Sequence, residues 1–218
     1  MKSLLVACAL LSPVTALAQN PKGATYITAE EVALINKSPG VDRQIVNVDI
    51  GKSNLAVGVV HRGRSGAPPA AGAAGATGAA GATGAAGATP DAAPTPCGEK
   101  VASTPANTAS GIAHDGQTET YIIISGGGTL VTGGKIVNGR RSAPESQVTR
   151  VLNGPSCSGP IVGDDVVRRV VKVGDIIIIP AGVPHGWSDI GDHVDYLTVR
   201  PDPDRVIPQL YTNPLLKK

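Results

Sequence analysis

Short runs rich in Val, Ile, Thr and Tyr recur along the chain, separated by turn-forming residues, and no regular helical segments alternate with them. Gln44–Ile50, Asn54–His61, Thr118–Ile124, Thr129–Thr132, Val166–Val173, Asp175–Ile179 and His193–Val199 all read as strands. Gly51-Lys52-Ser53 predicts a hairpin between the first two, and Gly126-Gly127-Gly128 predicts another between Ile124 and Thr129. Val173-Gly174-Asp175 and Pro180-Ala181-Gly182 are further breakers. Thr28-Ala29-Glu30-Glu31 matches a capping box and predicts one short helix ending near Asn36. With no helices to cover a parallel sheet, such a pattern argues for an all-β sandwich or barrel.

Composition then divides the chain. Of 218 residues, 28 are Gly and 18 Pro, and Phe is absent, so part of the sequence lacks core-forming side chains. That part is 66–96, where glycine returns at every third position from Gly72 to Gly87 between Ala and Thr. The repeat suggests collagen, but it lasts six triplets and holds no proline in its other positions, so a disordered insertion is the expectation. Residues 43–207 then form a single interrupted domain, preceded by an extension at 19–42 and followed by a tail at 208–218. The net charge of +2 supplies no basic surplus for phosphates, and with 2% aromatics there is little to stack on bases, which excludes nucleic acid as the expected partner.

Met1-Lys2, the apolar run Leu4–Leu11 and Ala16-Leu17-Ala18 before Gln19 read as a secretory signal peptide over 1–18, predicting a periplasmic or secreted product. No run approaches the roughly 18 apolar residues of a membrane span. Cys8 falls in the signal; Cys97 and Cys157, an even pair in an oxidising compartment, are expected to form a disulfide, the alternative being two free thiols.

Two segments carry a pattern. His114-Asp115-Gly116-Gln117-Thr118-Glu119, followed through Tyr121 to Gly126, resembles the second half of the first cupin motif. Gly174-Asp175, the isoleucines to Ile179, and Pro180-Ala181-Gly182-Val183-Pro184-His185 resemble the second cupin motif. The resemblance implies a cupin-type double-sheet β-barrel, related to jelly rolls, with a short N-terminal helix added here; it also implies a homodimer. It departs from the family pattern at Ile112, where the first motif has its first histidine, at Ala106 in place of a glycine, and at Asp189 in place of an asparagine.

The chemistry can also be read from the residue types. Asp115-Gly116 is a turn between His114 and Glu119, so one wall is expected to present both, with Tyr121 on the face of Glu119. The turn 180–184 delivers His185, which an opposite sheet would bring to face them. Two imidazoles and a carboxylate suit a divalent transition metal: Fe(II) as a facial triad, or Mn, Ni, Co or Zn. The resemblance assigns ligand roles to the same three positions. His61, ending a strand, is a possible extra ligand in place of the one lost at Ile112. Tyr121 is the candidate catalytic group, orienting a substrate or acting as an acid. His193 is expected exposed, Trp187 in the core or lining the cavity, and Arg140-Arg141 and Arg168-Arg169 on solvated faces. Arg200 and the Pro-Asp-Pro-Asp segment after it read as the exit from the barrel.

Two functions fit. One is an exported metal-dependent enzyme acting on a small organic molecule, of dioxygenase or oxidase type first and lyase or isomerase type second. The other is a non-catalytic barrel that binds a small molecule or carbohydrate.

Overall fold

The computed structural model describes residues 23–66, 95–207 and 210–216. The signal-peptide expectation and nearly all of the Gly-Ala segment lie outside them. In chain order the elements are helix α1 (Ala29–Asn36), strands β1 (Asp42–Asp49), β2 (Asn54–Gly63), β3 (Pro96–Cys97), β4 (Ser110–His114), β5 (Glu119–Thr132), β6 (Lys135–Ile136) and β7 (Gly139–Arg141), and a π-helix at Val148–Leu152. Strands β8 (Ser156–Val162), β9 (Val167–Lys172), β10 (Ile176–Ile179), β11 (His185–Ser188), β12 (His193–Asp202) and β13 (Tyr211–Thr212) follow, then a 3-10 turn at Pro214–Leu216.

The capping box forms as its sequence requires: Thr28 Oγ1 accepts from the Glu31 amide at 3.2 Å and Glu31 Oε2 accepts from the Thr28 amide at 2.8 Å. Helix α1 buries Ile35 against Ile45 and Val59, with Leu197 packed beside them, on the outer face of one sheet. The hairpin at Gly51-Lys52-Ser53 also forms, with β1 and β2 paired antiparallel from Asp49 and Asn54 outward.

The strands make two sheets that share β5. The first runs β13-β1-β2-β12-β5-β10, and the second runs β9-β5-β11-β4-β8-β7-β3. Period-two alternation turns Val60, Tyr121, Ile123, Leu130, Val171, Trp187, Val194 and Tyr196 inward, where they form the core between the sheets. Trp187 is thus a core residue, 1% exposed. The fold is the all-β double-sheet barrel with one short helix.

The hairpin expected at Gly126-Gly127-Gly128 does not form. β5 runs unbroken for 14 residues, its first half in one sheet and its second half in the other. Its pairing with β12 shifts register between Asp195 and Tyr196, leaving Ile124 between the paired Ile123 and Ser125, a bulge that bends the strand. The glycines serve this bend. Gly126 has φ +63°, and a Cβ there would lie 2.0 Å from the His193 carbonyl oxygen, so their absent side chains let neighbouring backbones close on the strand.

Cys97 on β3 and Cys157 on β8 are joined by a disulfide across a sequence separation of 60. A closed loop of that length contributes about 4 kcal/mol in the chain-entropy model. The bond is compatible with an oxidising, exported location. Among the described residues no helix is long and apolar enough to cross a membrane.

Gly126→Ala should lower stability by about 2 kcal/mol or more, since the added methyl meets backbone as well as an unfavourable φ. Urea unfolding against the wild type measures it, and an unchanged midpoint would refute the role assigned to this glycine.

Candidate metal centre

His114 ends β4, the turn 115–118 follows, and Glu119 begins β5, while His185 begins β11 after the Pro180–Pro184 turn. β4 and β11 are neighbours in the second sheet, with His185 opposite Ile112. Glu119, opposite Ile179 on β10, belongs to the first. The expected partition is therefore corrected: the two histidines come from one sheet, and the carboxylate faces them from the other. The bent β5 is what carries Glu119 across.

The three groups converge. Glu119 Oε2 lies 3.3 Å from His114 Nε2 and 3.2 Å from His185 Nε2, and the side chains are 3–4% exposed. The hydrogen bonds behind them fix the tautomers. Ser156 Oγ gives its single proton to the Gly154 carbonyl at 2.9 Å, so its contact with His114 Nδ1 at 2.8 Å is one in which the imidazole N–H donates. His185 Nδ1 is 3.0 Å from the Val183 carbonyl, which can only accept. With Nδ1–H donating in both rings, each Nε2 is turned toward one carboxylate oxygen, and His185 Nε2 has no hydrogen-bond partner.

Such a convergence is repulsive by itself. Two ligand atoms bound at 2.0–2.2 Å and at right angles to each other lie about 3 Å apart, close to the spacings seen here. The residues present therefore fit a divalent transition metal.

Glu119 does not stand alone. Its Oε1 accepts from Arg200 Nε at 2.6 Å and from Asn153 Nδ2 at 2.6 Å, while Oε2 accepts from the Tyr121 hydroxyl at 3.0 Å. Arg200 also donates to Gln44 Oε1 at 3.1 Å and pairs with Asp42 Oδ2. The guanidinium is wholly buried and has room because residue 58 is glycine: a Cβ there would sit 3.3 Å from Nη1.

Burial alone would raise the Glu119 carboxyl, but the Arg200 guanidinium holds it well below the usual carboxylate range. Burial raises Asp42, against the pull of Arg200. It lowers His114 despite the neighbouring carboxylate, keeping that ring neutral. Burial, then the Glu119 charge, pushes the Tyr121 phenol well up, so it remains a proton donor. For Arg200, burial acts downward and is overcome by Asp42 and Glu119, leaving it charged.

His61 is not part of this cluster. It points outward from β2, its side chain 46% exposed, and its Nδ1 pairs with Asp195 at 2.6 Å. The period of two explains this, since Val60 of the same strand turns into the core. His193, expected exposed, is half-buried at 32%, bonded to Ser125 Oγ and Asp192. Arg200 is no exit residue. It continues the inward series of Tyr196 and Thr198 on β12, a spacing that was available to find it. Asn153, following a π-helix, had no such signal.

No family model matches the chain, and no curated protein matches it. Solved structures do. An oxalate oxidase in complex with glycolate is 13% identical, with 82% of this chain and 58% of that one covered and a TM-score of 0.34. A cysteine peptidase from Thevetia peruviana latex is 6% identical, covering 75% and 63%, at 0.29. The capsular polysaccharide assembling protein CapF from Staphylococcus aureus is 13% identical, covering 78% and 32%, at 0.29. The chain thus spans less than two thirds of each of these proteins, and scores this low carry no argument about activity.

Arg200→Met should destabilise the protein by about 3–5 kcal/mol, because it strands two carboxylates in the interior; chemical denaturation measures it, and a change under 1 kcal/mol would refute the pairing. The pH dependence has a definite sign. His114 titrates lower when folded, so its contribution is complete above the unfolded value of about 6.5 and is lost as pH falls below it. Glu119 adds a second loss below about 4.5. In chelator, the melting temperature should therefore fall from pH 7 to pH 5, and His114→Gln should flatten that segment; an unchanged slope in the variant would contradict the assignment.

The chain folds as an all-β double-sheet barrel, and His114, Glu119 and His185, the residues singled out in its two motif-like segments, gather at one buried point between its sheets.

Proposed function

We propose that the protein is an exported, metal-binding cupin in which His114, Glu119 and His185 hold a divalent transition metal, Fe, Mn, Ni, Co or Zn, and that it acts enzymatically on a small organic molecule. Oxidation is the favoured reaction, of oxidase or dioxygenase type, ahead of lyase or isomerase chemistry. The observation that carries this reading is the pair of imidazole Nε2 atoms turned toward one carboxylate oxygen, that of His185 without a hydrogen-bond partner.

A bound ion would supply Lewis-acid or one-electron chemistry. The chain's own residues do the rest. Arg200 occupies Glu119 Oε1, so the carboxylate presents Oε2 to the two imidazoles. Tyr121 holds a proton at that oxygen and is the group placed to deliver one to a substrate. Tyr196 and Trp187, packed at a tilt beyond Tyr121, line the adjoining interior with aromatic rings. The homodimer belongs to the same reading; Ile176 and Ile178, 65% and 68% exposed on the open edge at β10, are the surface it would bury.

A second reading, a barrel that binds a small molecule or carbohydrate without turning it over, draws on the near-complete burial of all three donors and on Ile112. Elemental mass spectrometry on the purified mature chain is the test. One transition metal per chain, lost in both His114→Ala and His185→Ala, is the expected result. No metal after reconstitution would overturn the metal-dependent reading and leave the binding barrel.

A further inference from the structure

We propose that Asn153 is the fourth protein ligand of this centre, taking the part of the imidazole that Ile112 removes. The inference rests on the three-residue reading above and adds a donor that neither motif contains.

Asn153 is 4% exposed, and its amide touches two of the three donor side chains: Nδ2 is 2.6 Å from Glu119 Oε1 and 3.1 Å from His114 Nε2. With the His114 proton on Nδ1, the amide N–H caps the Nε2 lone pair. An ion at the centre would use that lone pair and leave the cap without an acceptor. An amide is nearly symmetric in shape, so a half turn about Cβ–Cγ puts Oδ1 where Nδ2 stands. Oδ1 would then lie 3.1 Å from His114 Nε2, matching the 3.3 and 3.2 Å between Glu119 Oε2 and the two imidazoles, and 2.6 Å from Glu119 Oε1, a contact of two acceptors that the charge of a bound ion would have to offset. A neutral amide oxygen in that place completes a set of two nitrogens and two oxygens acceptable to the same metals.

The backbone is built to hold it there. Asn153 follows the π-helix, and its amide and that of Gly154 both donate to the Val148 carbonyl, at 2.8 and 3.1 Å. An extra residue per turn is a device that re-aims a side chain, and it recurs at functional sites. Gln117, buried in the turn between His114 and Glu119, donates to the Leu152 and Asn153 carbonyls at 3.1 and 3.2 Å when its amide nitrogen faces them. The segment bearing Asn153 is thereby tied to the segment bearing two ligands.

The rival account makes Asn153 a cap that competes with the ion, and the two predict opposite signs. Co(II) titration of the full mature chain, followed by visible absorption, separates them. As a ligand, Asn153 gives Asn153→Ala a loss in Co(II) affinity beyond the roughly 10–100-fold expected for an outer hydrogen-bond partner of a ligand, together with an altered ligand-field spectrum, while Asn153→Asp, which keeps an oxygen, retains binding. An alanine variant that binds as tightly as the wild type or tighter, with the same spectrum, overturns the proposal. Should that variant fail to fold, a crystal structure of the Zn(II)-loaded wild type decides: Oδ1 within about 2.2 Å of the ion supports it, and Nδ2 still donating to Glu119 refutes it. A wild type that takes up no Co(II) sinks the three-residue reading and this one together, whereas normal uptake matched by Asn153→Ala sinks this one alone.

Discussion

The ion pair between Arg200 and Glu119 is the constraint on which the interior depends. A carboxylate this deeply buried would ordinarily take up a proton and lose both its charge and its value as a ligand. Arg200 prevents that, and it is itself tolerated only because Asp42, Gln44 and Glu119 receive three of its N–H directions. The pair also ties strands together, since Asp42 and Gln44 lie on β1, Arg200 on β12 and Glu119 on β5, all in the first sheet. The electrostatics of the candidate centre and the cohesion of that sheet are therefore one interaction seen twice.

The other half of the centre comes from a different source of order. His114 and His185 sit on adjacent strands of the second sheet, each oriented by an Nδ1–H that donates to Ser156 Oγ or to the Val183 carbonyl. Because β5 belongs to both sheets, its bend sets the distance between the imidazoles and the carboxylate. The bulge at Ile124 and the glycines after it thus act on the site from several residues away.

How much of this was legible follows from what each feature depends on. Helix α1, the Gly51-Lys52-Ser53 hairpin and the inward face of β5 are local matters of capping, turn chemistry and a period of two, and the sequence carries them openly. The pairing of His114, Glu119 and His185 was legible through two motifs. Which sheet each would come from was not, because three glycines in a row signal a turn equally well when they serve a strand that bends. Arg200 lay in the inward register of Tyr196 and Thr198, but an arginine beside Pro-Asp-Pro-Asp looks like the end of a strand, and only its partners from β1 and β5 make its burial affordable. Asn153 depends on a π-helix and on a contact with Gln117 36 residues before it, neither of which leaves a local pattern. His61 erred for the converse reason: residue type suggested a ligand, and strand parity turned it to solvent.

Three of the polar groups that organise the centre also compete for it. Asn153 Nδ2 holds the lone pair of His114, Tyr121 donates to the oxygen of Glu119 that would face an ion, and Arg200 withdraws charge from the same carboxylate. Affinity for a metal is accordingly a difference between two nearly complete arrangements of one set of side chains, and it is governed by how cheaply the first gives way to the second. His185 Nε2 is the atom that breaks the balance, because it alone among the donor atoms is left with no partner in the first arrangement. A buried ring nitrogen without a partner carries a standing desolvation cost of about 1–3 kcal/mol, which an ion at the proposed centre would remove.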